Sequence, residues 1–455
     1  MELFGSSGIR GVAGEELTAP FVGRVAAATG TALDETRVAV ARDTRTTGRL
    51  FADAAASALA AVGCDVHRLG VVPTPCAQAY AEWEGVPVIV ITASHNPPQY
   101  NGVKLIGSDG IELSRTTLER VERQLRDECA EPVAWNRVGT HRTVDGVPRR
   151  YVDELLAELE RDGTRNRIAQ AGLTVALDPG HGAGCLTSPP FFRRLGCDVL
   201  TVNAQPDGHF PGRNPEPVRE HLGDLRRLVR TTDADVGIAH DGDGDRAIFV
   251  DEHGNYIDGD VTLAALAAAE LTDGDIAVSA VNVSQRLIDT AEAAGAVVDL
   301  TPIGSTNIIS HIGKLRRQGA SVPIAGEGNG GILFPRFRLA RDGAYAAARF
   351  LDILVDRPAS AVAAEHDGYA NSRVNIEYDT DEERERLLSA ARSYANRADA
   401  RLTTIDGYRL DYGDGWVLAR PSGTEPLVRL AAEARNEARA QALLDGIHHA
   451  MRDGE

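Results

Sequence analysis

Three short apolar runs in this chain each lead directly into a loop rich in glycine or polar residues. The runs cover residues 87–91, 234–239 and 321–325, and Ala-rich stretches with apolar residues three and four positions apart, such as 48–62 and 261–270, lie between them. This spacing is typical of helices, and strands that alternate with helices favour parallel α/β sheets. Because ligands of such sheets bind beyond the carboxyl ends of the strands, we expect the three loops to form functional sites.

The length of the chain, 455 residues, predicts several domains, since a single domain has about 150 residues. Turn-rich segments near residues 147, 250 and 367 mark the predicted boundaries. The last part of the chain has a different pattern, with strands predicted over 374–378 and 416–419 and helices over 382–395 and 436–451. We predict three α/β domains with mixed, mostly parallel sheets and a C-terminal α+β domain, with the bounds 1–147, 148–250, 251–367 and 368–455.

The charge balance of the chain is strongly acidic: 66 Asp and Glu against 48 Lys and Arg give a formal net charge of −18. Such a surface repels nucleic acids and anionic membranes, so neither is an expected partner. Two of the cationic residues are lysines and the other 46 are arginines. A GC-rich genome and adaptation to high salt, where screening tolerates an excess of like charge, both account for this composition.

No apolar run reaches the roughly 18 residues that a transmembrane helix needs, and the amino terminus lacks the basic and apolar segments of a secretory signal. We therefore expect a cytoplasmic protein. The five cysteines include no C-x-x-C pair. This argues against a structural zinc site and a disulfide framework, and it favours buried thiols.

Asp241, Asp243 and Asp245 alternate with glycines directly after the second apolar run. Three carboxylates at this spacing, on a backbone that glycine lets fold tightly, can converge on one hard divalent cation such as Mg²⁺. The alternatives are an exposed acidic loop and an EF-hand that ends at Glu252. Arg246 stands where an EF-hand requires glycine, and a strand rather than a helix is predicted before the loop, so both features oppose the EF-hand. The Arg246 guanidinium is suited to clamp a phosphate group.

The loop after the first apolar run offers Ser94 as a nucleophile or phosphate carrier, with His95 beside it. A turn or capping role is the alternative, and the absence of a G-x-S-x-G pattern disfavours α/β-hydrolase chemistry. Lys104 follows closely and is one of two lysines in the chain. Because lysine can release a proton when its pKa is lowered and arginine cannot, this lysine indicates proton transfer, the alternative being a surface residue without a role.

Two further loops have the composition of phosphate-binding sites. The segment R-P-S-G-T-E-P at 420–426, with Arg429 shortly after it, supplies arginines, hydroxyls and a glycine that opens the backbone. An ordinary turn between strands is the alternative, and the Walker pattern is missing. Near the amino terminus, G-S-S-G-I-R-G at 5–11 places Arg10 among glycines and hydroxyls and is also suited to an anion.

Together these motifs resemble those of the α-D-phosphohexomutase superfamily, which contains phosphoglucomutases, phosphomannomutases and phosphoglucosamine mutases. The resemblance covers essentially the whole chain and has four signature regions in the family's order. They read T-A-S-H-N-P at 92–97, D-G-D-G-D-R at 241–246, G-E-G-N-G-G at 326–331 and R-P-S-G-T-E-P at 420–426. The opening F-G-S-S-G-I-R-G at 4–11 is most similar to the phosphoglucosamine mutase type, in which threonine usually stands at position 6.

The resemblance implies four domains around a central cleft, three of them related α/β domains and the last similar to the TATA-binding-protein fold. It implies that Ser94 is the phosphorylated serine and, with the three aspartates, a ligand of one Mg²⁺. Catalytic residues next to the transferring phosphoryl group would be Arg10, His95, Lys104 and Arg246. Sugar hydroxyls would bind to Glu327 and Asn329, and the phosphate that does not react would bind to Arg420, Ser422, Gly423, Thr424 and Arg429.

Two loops depart from the family pattern, and both help to select the sugar. Many bacterial members have G-E-x-S-G-H in the sugar loop, where this chain has Asn329 for serine and Gly331 for histidine, a form that looks archaeal. Relatives often have Gly-Asp at the positions of Gly304 and Ser305, so Ser305 removes a carboxylate. The sugar is therefore open among glucosamine, glucose and mannose.

The function implied by the resemblance is that of an isomerase which interconverts hexose or hexosamine 1-phosphate and 6-phosphate. Ser94 would carry the phosphoryl group, a hexose 1,6-bisphosphate would be intermediate and activator, and Lys104 would act as general acid and base. The partner is then a small sugar phosphate, and a monomer or homodimer is expected. The alternatives are a phosphoserine-dependent sugar phosphatase and a non-catalytic sugar-phosphate-binding paralogue.

Overall fold

The structure describes residues 4–5, 8–127, 130–422 and 426–453. These residues form four β-sheets with helices packed against them. The structure is a computed structural model. Its first sheet and the helices around it form domain 1. The elements of domain 1 are β1 (Ile9–Val12), α1 (Ala19–Leu33), β2 (Arg37–Arg42), α2 (Gly48–Ala61), β3 (Asp65–Val71), α3 (Thr74–Glu84), β4 (Val88–Ile91), β5 (Tyr100–Ile106), α4 (Arg115–Arg126) and β6 (His141–Thr143).

Domains 2 and 3 are built around the second and third sheets. Domain 2 contains α5 (Val147–Arg161), α6 (Thr164–Ala171), β7 (Thr174–Asp178), α7 (Ser188–Leu195), β8 (Asp198–Thr201), α8 (Gly223–Thr232), β9 (Val236–His240), β10 (Ala247–Val250) and β11 (Tyr256–Ile257). Domain 3 contains α9 (Gly259–Glu270), β12 (Ile276–Ala280), α10 (Gln285–Ala293), β13 (Val297–Thr301), α11 (Ser305–Arg317), β14 (Ala325–Glu327), β15 (Gly331–Phe334), β16 (Arg338–Arg341), α12 (Gly343–Leu354) and α13 (Ala359–Glu365).

Domain 4 is the C-terminal unit, and its sheet is antiparallel throughout, in the order β17-β21-β20-β19-β18. Alternate residues of its edge strand β17 are exposed, which is typical of a sheet that is covered on one face. The predicted α+β domain is thus confirmed. Its elements are β17 (Ala370–Glu377), α14 (Asp381–Arg397), β18 (Arg401–Thr403), β19 (Tyr408–Asp411), β20 (Gly415–Pro421), β21 (Leu427–Ala434) and α15 (Glu437–Asp453).

The first three domains share one strand order. Each sheet contains three neighbouring parallel strands, and the last of them in the chain pairs antiparallel with the strand that follows it, which gives β3-β2-β4-β5, β8-β7-β9-β10 and β13-β12-β14-β15. The predicted mixed sheets are confirmed. The three motif loops join β4 to β5, β9 to β10 and β14 to β15, so each occupies the same topological position at the carboxyl end of a parallel strand.

Two details differ from the sequence prediction. The boundary predicted at residue 250 falls inside a hairpin, because β10 pairs with β11 through Phe249 and Ile257, and the second sheet therefore continues past that residue. The strand predicted over 321–325 begins only at Ala325. Pro323 lies in this segment and has no N–H to donate to a sheet, which delays regular pairing.

One hydrophobic core runs through domains 1 to 3, with buried residues such as Val90, Leu156 and Phe350 from the three domains in a single cluster. Domain 4 has its own main core and joins domain 3 through both a small buried apolar cluster of Val281, Trp416 and Leu418 and polar contacts such as Arg286 Nη1 to Glu433 Oε2, 3.2 Å apart. The first three domains are therefore one packed body that sets the site, with domain 4 docked beside it. No helix in the described ranges combines the length and apolar character needed to cross a membrane.

Candidate active site

Ser94 lies in the loop between β4 and β5 and has a left-handed backbone, with φ of 51°. Its N–H donates to Thr92 Oγ1 over 2.9 Å, and Arg45 Nη2 donates to its carbonyl oxygen over 2.9 Å. Arg45 is held in turn by Asp43, whose Oδ2 lies 3.0 Å from Arg45 Nε. A positive φ at a residue other than glycine costs about 1–3 kcal/mol and persists only where the surroundings enforce it. The loop is thus built to present Ser94 in one orientation.

The second motif loop brings three carboxylates to Ser94. One carboxylate oxygen from each of Asp241, Asp243 and Asp245 lies within 4.8 Å of the other two, and Ser94 Oγ donates to Asp241 Oδ2 over 2.6 Å. The two loops approach so closely that a Cβ on Gly242 would stand 2.6 Å from the Ser94 carbonyl oxygen. The structure therefore unites the serine motif of domain 1 with the acidic motif of domain 2.

Both alternatives for the acidic loop are wrong. Asp241 and Asp243 are 0% exposed, which excludes an exposed acidic loop. Glu252, the last ligand of a hypothetical EF-hand, instead accepts a hydrogen bond from the Ser360 N–H over 3.0 Å in domain 3. The acidic loop is a buried cluster that faces Ser94.

Two oxygens of the aspartate cluster, Asp243 Oδ1 and Asp245 Oδ1, are buried and have no hydrogen-bond partner within the described part of the chain. Asp243 Oδ2, by contrast, accepts from Thr74 Oγ1 over 2.6 Å. Unpaired buried carboxylate oxygens are costly, and they are the ligands that hard divalent cations prefer. The cluster therefore fits a cation such as Mg²⁺.

The carboxylates of this cluster differ in their electrostatics. Desolvation and the negative charges of Asp243 and Asp245 raise the pKa of Asp241 well above its ordinary value. Asp245 is also desolvated, but the cations Arg341, Lys104 and Arg246 outweigh this and lower its pKa. Asp245 is thus held in its charged form, whereas ionisation of Asp241 is unfavourable, and a bound cation would relieve that cost.

Lys104, on β5, is buried among three carboxylates from different elements. Its Nζ lies 3.2 Å from Asp245 Oδ2, 3.5 Å from Glu112 Oε1 and 3.7 Å from Asp243 Oδ2. Burial alone would lower the pKa of Lys104, but these carboxylates raise it above the ordinary value. The surface-residue alternative is therefore wrong, and the resting form of Lys104 is the ammonium.

Cationic and polar groups surround the cluster. Arg246 Nε lies 3.9 Å from both Asp241 Oδ2 and Asp245 Oδ1 and has no hydrogen-bond partner among the described residues. Desolvation and the neighbouring Arg246 charge lower the pKa of Arg10 to about 10, and Arg10 Nη1 donates to Asn96 Oδ1 over 2.7 Å. Desolvation with the charges of Arg246 and Arg10 lowers the pKa of His95 to about 2, which keeps its ring neutral. Two guanidinium groups this close to each other and to a neutral imidazole form an anion-binding environment.

The third motif loop lies on one wall of a cavity of about 250 Å³. Glu327 is half-buried and Asn329 exposed, and the Asn329 Oδ1 accepts from the Gly331 N–H over 3.0 Å, which shapes the loop. Arg246 also lines the cavity, so this space is continuous with the surroundings of the aspartate cluster. The other lining side chains come from domains 2, 3 and 4 and include Glu216, Asp258, Asp260, Asn282 and Arg373.

The C-terminal loop lies between β20 and β21, where Arg420 and Arg429 stand opposite each other on paired strands. Arg420 is partly buried; desolvation lowers its pKa, while the carboxylates of Asp406 and Glu327 oppose that shift. Glu327 of domain 3 and Arg373 of domain 4 line the same cavity, so the third motif loop faces domain 4. Ser422 donates its N–H to the Leu427 carbonyl over 2.8 Å. Gly423 and Thr424 lie outside the described residues.

Sequence reasoning missed several residues of the site. Arg341 and Glu112 contact Lys104 or Asp245 from distant segments, and no local pattern marks them. Asp260 ends the D-G-D segment at 258–260, which repeats the spacing of the aspartate motif and could have been noticed. Its carboxyl group fills the space beside Gly328 of the third motif loop, where a Cβ would stand 2.2 Å from Asp260 Oδ1, so a side chain at this position would displace Asp260.

Four family models match successive parts of the chain. They describe the phosphoglucomutase/phosphomannomutase α/β/α domains I, II and III, at residues 1–131, 149–254 and 258–369, and the C-terminal domain, at residues 371–450. These matches follow the four sheets of the structure in order.

Individual relatives cover almost the full chain. A phosphoglucomutase/phosphomannomutase of Thermococcus kodakarensis is 37% identical, over 98% of this chain and 97% of that protein. A probable phosphoglucosamine mutase of Methanopyrus kandleri is 38% identical, over 97% and 96%. The crystal structure of a phosphoglucomutase/phosphomannomutase family protein from Burkholderia thailandensis superposes with a TM-score of 0.85 at 29% identity, covering 100% of this chain and 97% of that one. The chain therefore belongs to the phosphoglucomutase/phosphomannomutase family, within the α-D-phosphohexomutase superfamily.

Proposed function

We propose that the protein is a phosphoserine-dependent phosphohexomutase that interconverts 1- and 6-phosphates of a hexose or hexosamine. One observation carries this proposal: Ser94 Oγ, on a conformationally fixed loop, donates to Asp241 inside a buried carboxylate cluster that cations surround. A nucleophilic hydroxyl, a divalent-cation site and cationic phosphate ligands are the parts that phosphoryl transfer requires. The names of the relatives support the same reaction class.

In the proposed reaction, the phosphoryl group on Ser94 passes to a free hydroxyl of a bound sugar monophosphate. The bond between phosphorus and Ser94 Oγ breaks, a bond between phosphorus and the sugar oxygen forms, and a hexose 1,6-bisphosphate results. The Lys104 ammonium donates a proton to Ser94 Oγ and regains one from the sugar hydroxyl. Its raised pKa keeps the acid form present at rest but opposes release of the proton, in contrast to the lowered pKa expected from the sequence. The bisphosphate then turns over and returns its other phosphoryl group to Ser94.

The remaining site residues bind and orient the substrate in this proposal. Mg²⁺, held by the three aspartates and Ser94, would neutralise charge on the phosphoryl oxygens. Arg10, neutral His95 and Arg246 border the transferring group. Glu327 and Asn329 bind sugar hydroxyls. The phosphate that does not react is held by the C-terminal loop residues Arg420, Ser422, Gly423, Thr424 and Arg429.

The charge of the cavity beside the sugar loop favours an amino sugar. Glu216, Asp258, Asp260 and Glu327 line it, against the two cations Arg246 and Arg373. Desolvation and the carboxylates of Asp258 and Glu433 raise the pKa of Asp260 to about 7. A bound ammonium group would favour the charged form of Asp260. We therefore propose glucosamine phosphate as the preferred substrate, ahead of glucose and mannose phosphates.

The test is a comparison of glucosamine, glucose and mannose 1- and 6-phosphates with the purified full-length protein, Mg²⁺ and catalytic hexose 1,6-bisphosphate. Phosphorus NMR follows the sugar phosphates and inorganic phosphate together. We expect interconversion without phosphate release, fastest with glucosamine. Phosphate release without interconversion would identify the sugar phosphatase instead, and binding without either reaction would identify the non-catalytic paralogue.

A further inference from the structure

Arg341, the last residue of β16 in domain 3, reaches into the phosphoryl-transfer site formed by domains 1 and 2. Its Nη2 donates to Asp245 Oδ2 over 2.6 Å and lies 3.7 Å from Glu112 Oε1. The side chain is 5% exposed. Arg341 is thus the point at which domain 3 contacts both the metal-binding loop of domain 2 and the Lys104 environment of domain 1.

The two loops in which this chain departs from the family pattern contain Gly331 and Ser305, which lie next to Arg341 and next to its partner Glu112. A Cβ on Gly331 would stand 2.7 Å from Arg341 Cδ, so the arginine stem occupies the space that a larger residue at position 331 would need. Ser305 Oγ donates to Glu112 Oε2 over 2.7 Å and so fixes the carboxylate whose other oxygen faces Arg341 and Lys104. Gly331 therefore leaves room for the Arg341 side chain, and Ser305 holds Glu112, one of the partners of Arg341.

The contacts of Asp245 are divided between its two oxygens. Arg341 Nη2 and Lys104 Nζ, 3.2 Å away, both donate to Oδ2. Oδ1 is buried without a hydrogen-bond partner in the described ranges, and so is Asp243 Oδ1 in the same cluster. A carboxylate anchored at one oxygen cannot rotate freely, and its other oxygen keeps a fixed direction.

We propose that Arg341 is a positioning residue that anchors Asp245 Oδ2 and thereby holds Asp245 Oδ1 in place for the divalent cation. This inference rests on the proposed function of the aspartate cluster as a metal site. Groups that orient metal ligands in this way typically change metal affinity by roughly 10- to 100-fold when they are removed.

The sign of the effect separates positioning from a simple charge effect. Arg341 carries a positive charge next to the cation site, so by Coulomb's law alone its removal would tighten cation binding. Loss of the Arg341 anchor weakens cation binding, because Lys104 Nζ, 3.2 Å away, is then the one remaining donor described for Asp245 Oδ2 and the cation must supply part of the ordering. A neutral replacement of similar length therefore gives opposite results under the two explanations.

The experiment measures Mn²⁺ binding to metal-free, full-length protein by electron paramagnetic resonance of the free ion, since Mn²⁺ and Mg²⁺ share oxygen ligands. We expect Arg341→Met to weaken binding about tenfold and Arg341→Lys to recover part of the loss. The matched control is Arg338→Met on the same strand: Arg338 pairs with Glu82 and Glu154, both 2.9 Å away, and does not contact the aspartates. Its Mn²⁺ affinity should equal that of the wild type.

Unchanged or tighter Mn²⁺ binding by Arg341→Met would overturn the proposal, and so would a wild-type protein that binds no Mn²⁺. Gly331→Ala is a second test, since it displaces the arginine stem and should also weaken binding while adding no charge. The readout does not depend on turnover. A wild type that binds Mn²⁺ but does not interconvert sugar phosphates would refute the proposed function and leave the role of Arg341 standing.

Discussion

The proposed site has two ends: the transfer end, where we propose phosphoryl transfer, and the recognition end, where we propose binding of the sugar and the distal phosphate. They differ in how deeply their side chains are buried and in how many contacts these make. At the transfer end, made of Ser94, Lys104 and the three aspartates, every side chain is at most 3% exposed and contacts another member of the cluster. At the recognition end, made of Glu327, Asn329, Arg420 and Arg429, the side chains are half-buried or exposed. The side-chain contact between Asn329 and Glu327 spans 3.5 Å.

This difference indicates what each end contributes. A buried, charge-dense cluster is organised before substrate arrives, and it suits a chemical step that is the same for every sugar. An end whose side chains are exposed or half-buried is completed by the substrate, and it suits selection and binding. The comparison predicts that substitutions at the transfer end act mainly on kcat and those at the recognition end mainly on KM.

The largest expected effect is that of Ser94→Ala. Removal of the phosphoryl acceptor should lower turnover by at least about 10³-fold, the scale on which a covalent step is lost. Steady-state assays give the rate, and a thermal melt that matches the wild type shows that the fold is kept. Turnover near the wild-type level would contradict the phosphoserine mechanism.

Lys104→Arg should have the next largest effect, although it keeps the charge. The guanidinium does not exchange its proton near neutral pH, so we expect kcat to fall by about 10²- to 10⁴-fold. Lys314→Arg is the matched control, since Lys314 is the other lysine and is exposed on α11. A Lys104→Arg enzyme that stays within a few-fold of wild type and keeps its pH profile would reduce Lys104 to a fixed positive charge.

Arg420→Ala should act at the recognition end and raise KM for every hexose phosphate by roughly 10- to 100-fold, since a charge-assisted phosphate contact contributes about 1.5–3 kcal/mol. Phosphorylation of Ser94 by a bisphosphate donor should change less. Arg439→Ala in the same domain removes an exposed ion pair with Asp414 and should leave KM unchanged. An unaltered KM in Arg420→Ala would show that the C-terminal loop does not hold the distal phosphate.

Asp260→Asn should have the smallest and most selective effect. We expect KM for glucosamine phosphate to rise roughly fivefold, as for a partly solvated ion pair, with KM for glucose phosphate unchanged. Because the pKa of Asp260 is about 7, the wild-type preference for the amino sugar should grow as pH rises through that value, as long as the sugar's ammonium stays charged. If KM rises equally for glucosamine and glucose phosphates, or if the preference for glucosamine phosphate does not change with pH, the amino group does not bind to Asp260.

The residues that meet around Ser94 could be picked out in the sequence because they belong to contiguous motifs at the ends of strands, and their catalytic roles stay a prediction. A strand, a loop and a hydroxyl or carboxylate at fixed spacing are local features, and the repeated sheet order places three such loops alike. The raised pKa of Lys104 could not be predicted, since it arises where Glu112, Asp243 and Asp245 meet from different elements. Arg341 was missed for the same reason: its contact with Asp245 spans 96 residues of sequence and two domains.

The central claim, that Ser94 carries the phosphoryl group, is tested most directly by mass spectrometry of peptides after incubation of the protein with Mg²⁺ and hexose 1,6-bisphosphate. The account predicts one added phosphoryl group, located on Ser94 and removed again when excess sugar monophosphate is supplied. The Ser94→Ala variant should acquire none under the same conditions. A phosphoryl group on another residue, or full mutase activity while Ser94 stays unmodified throughout turnover, would contradict the claim.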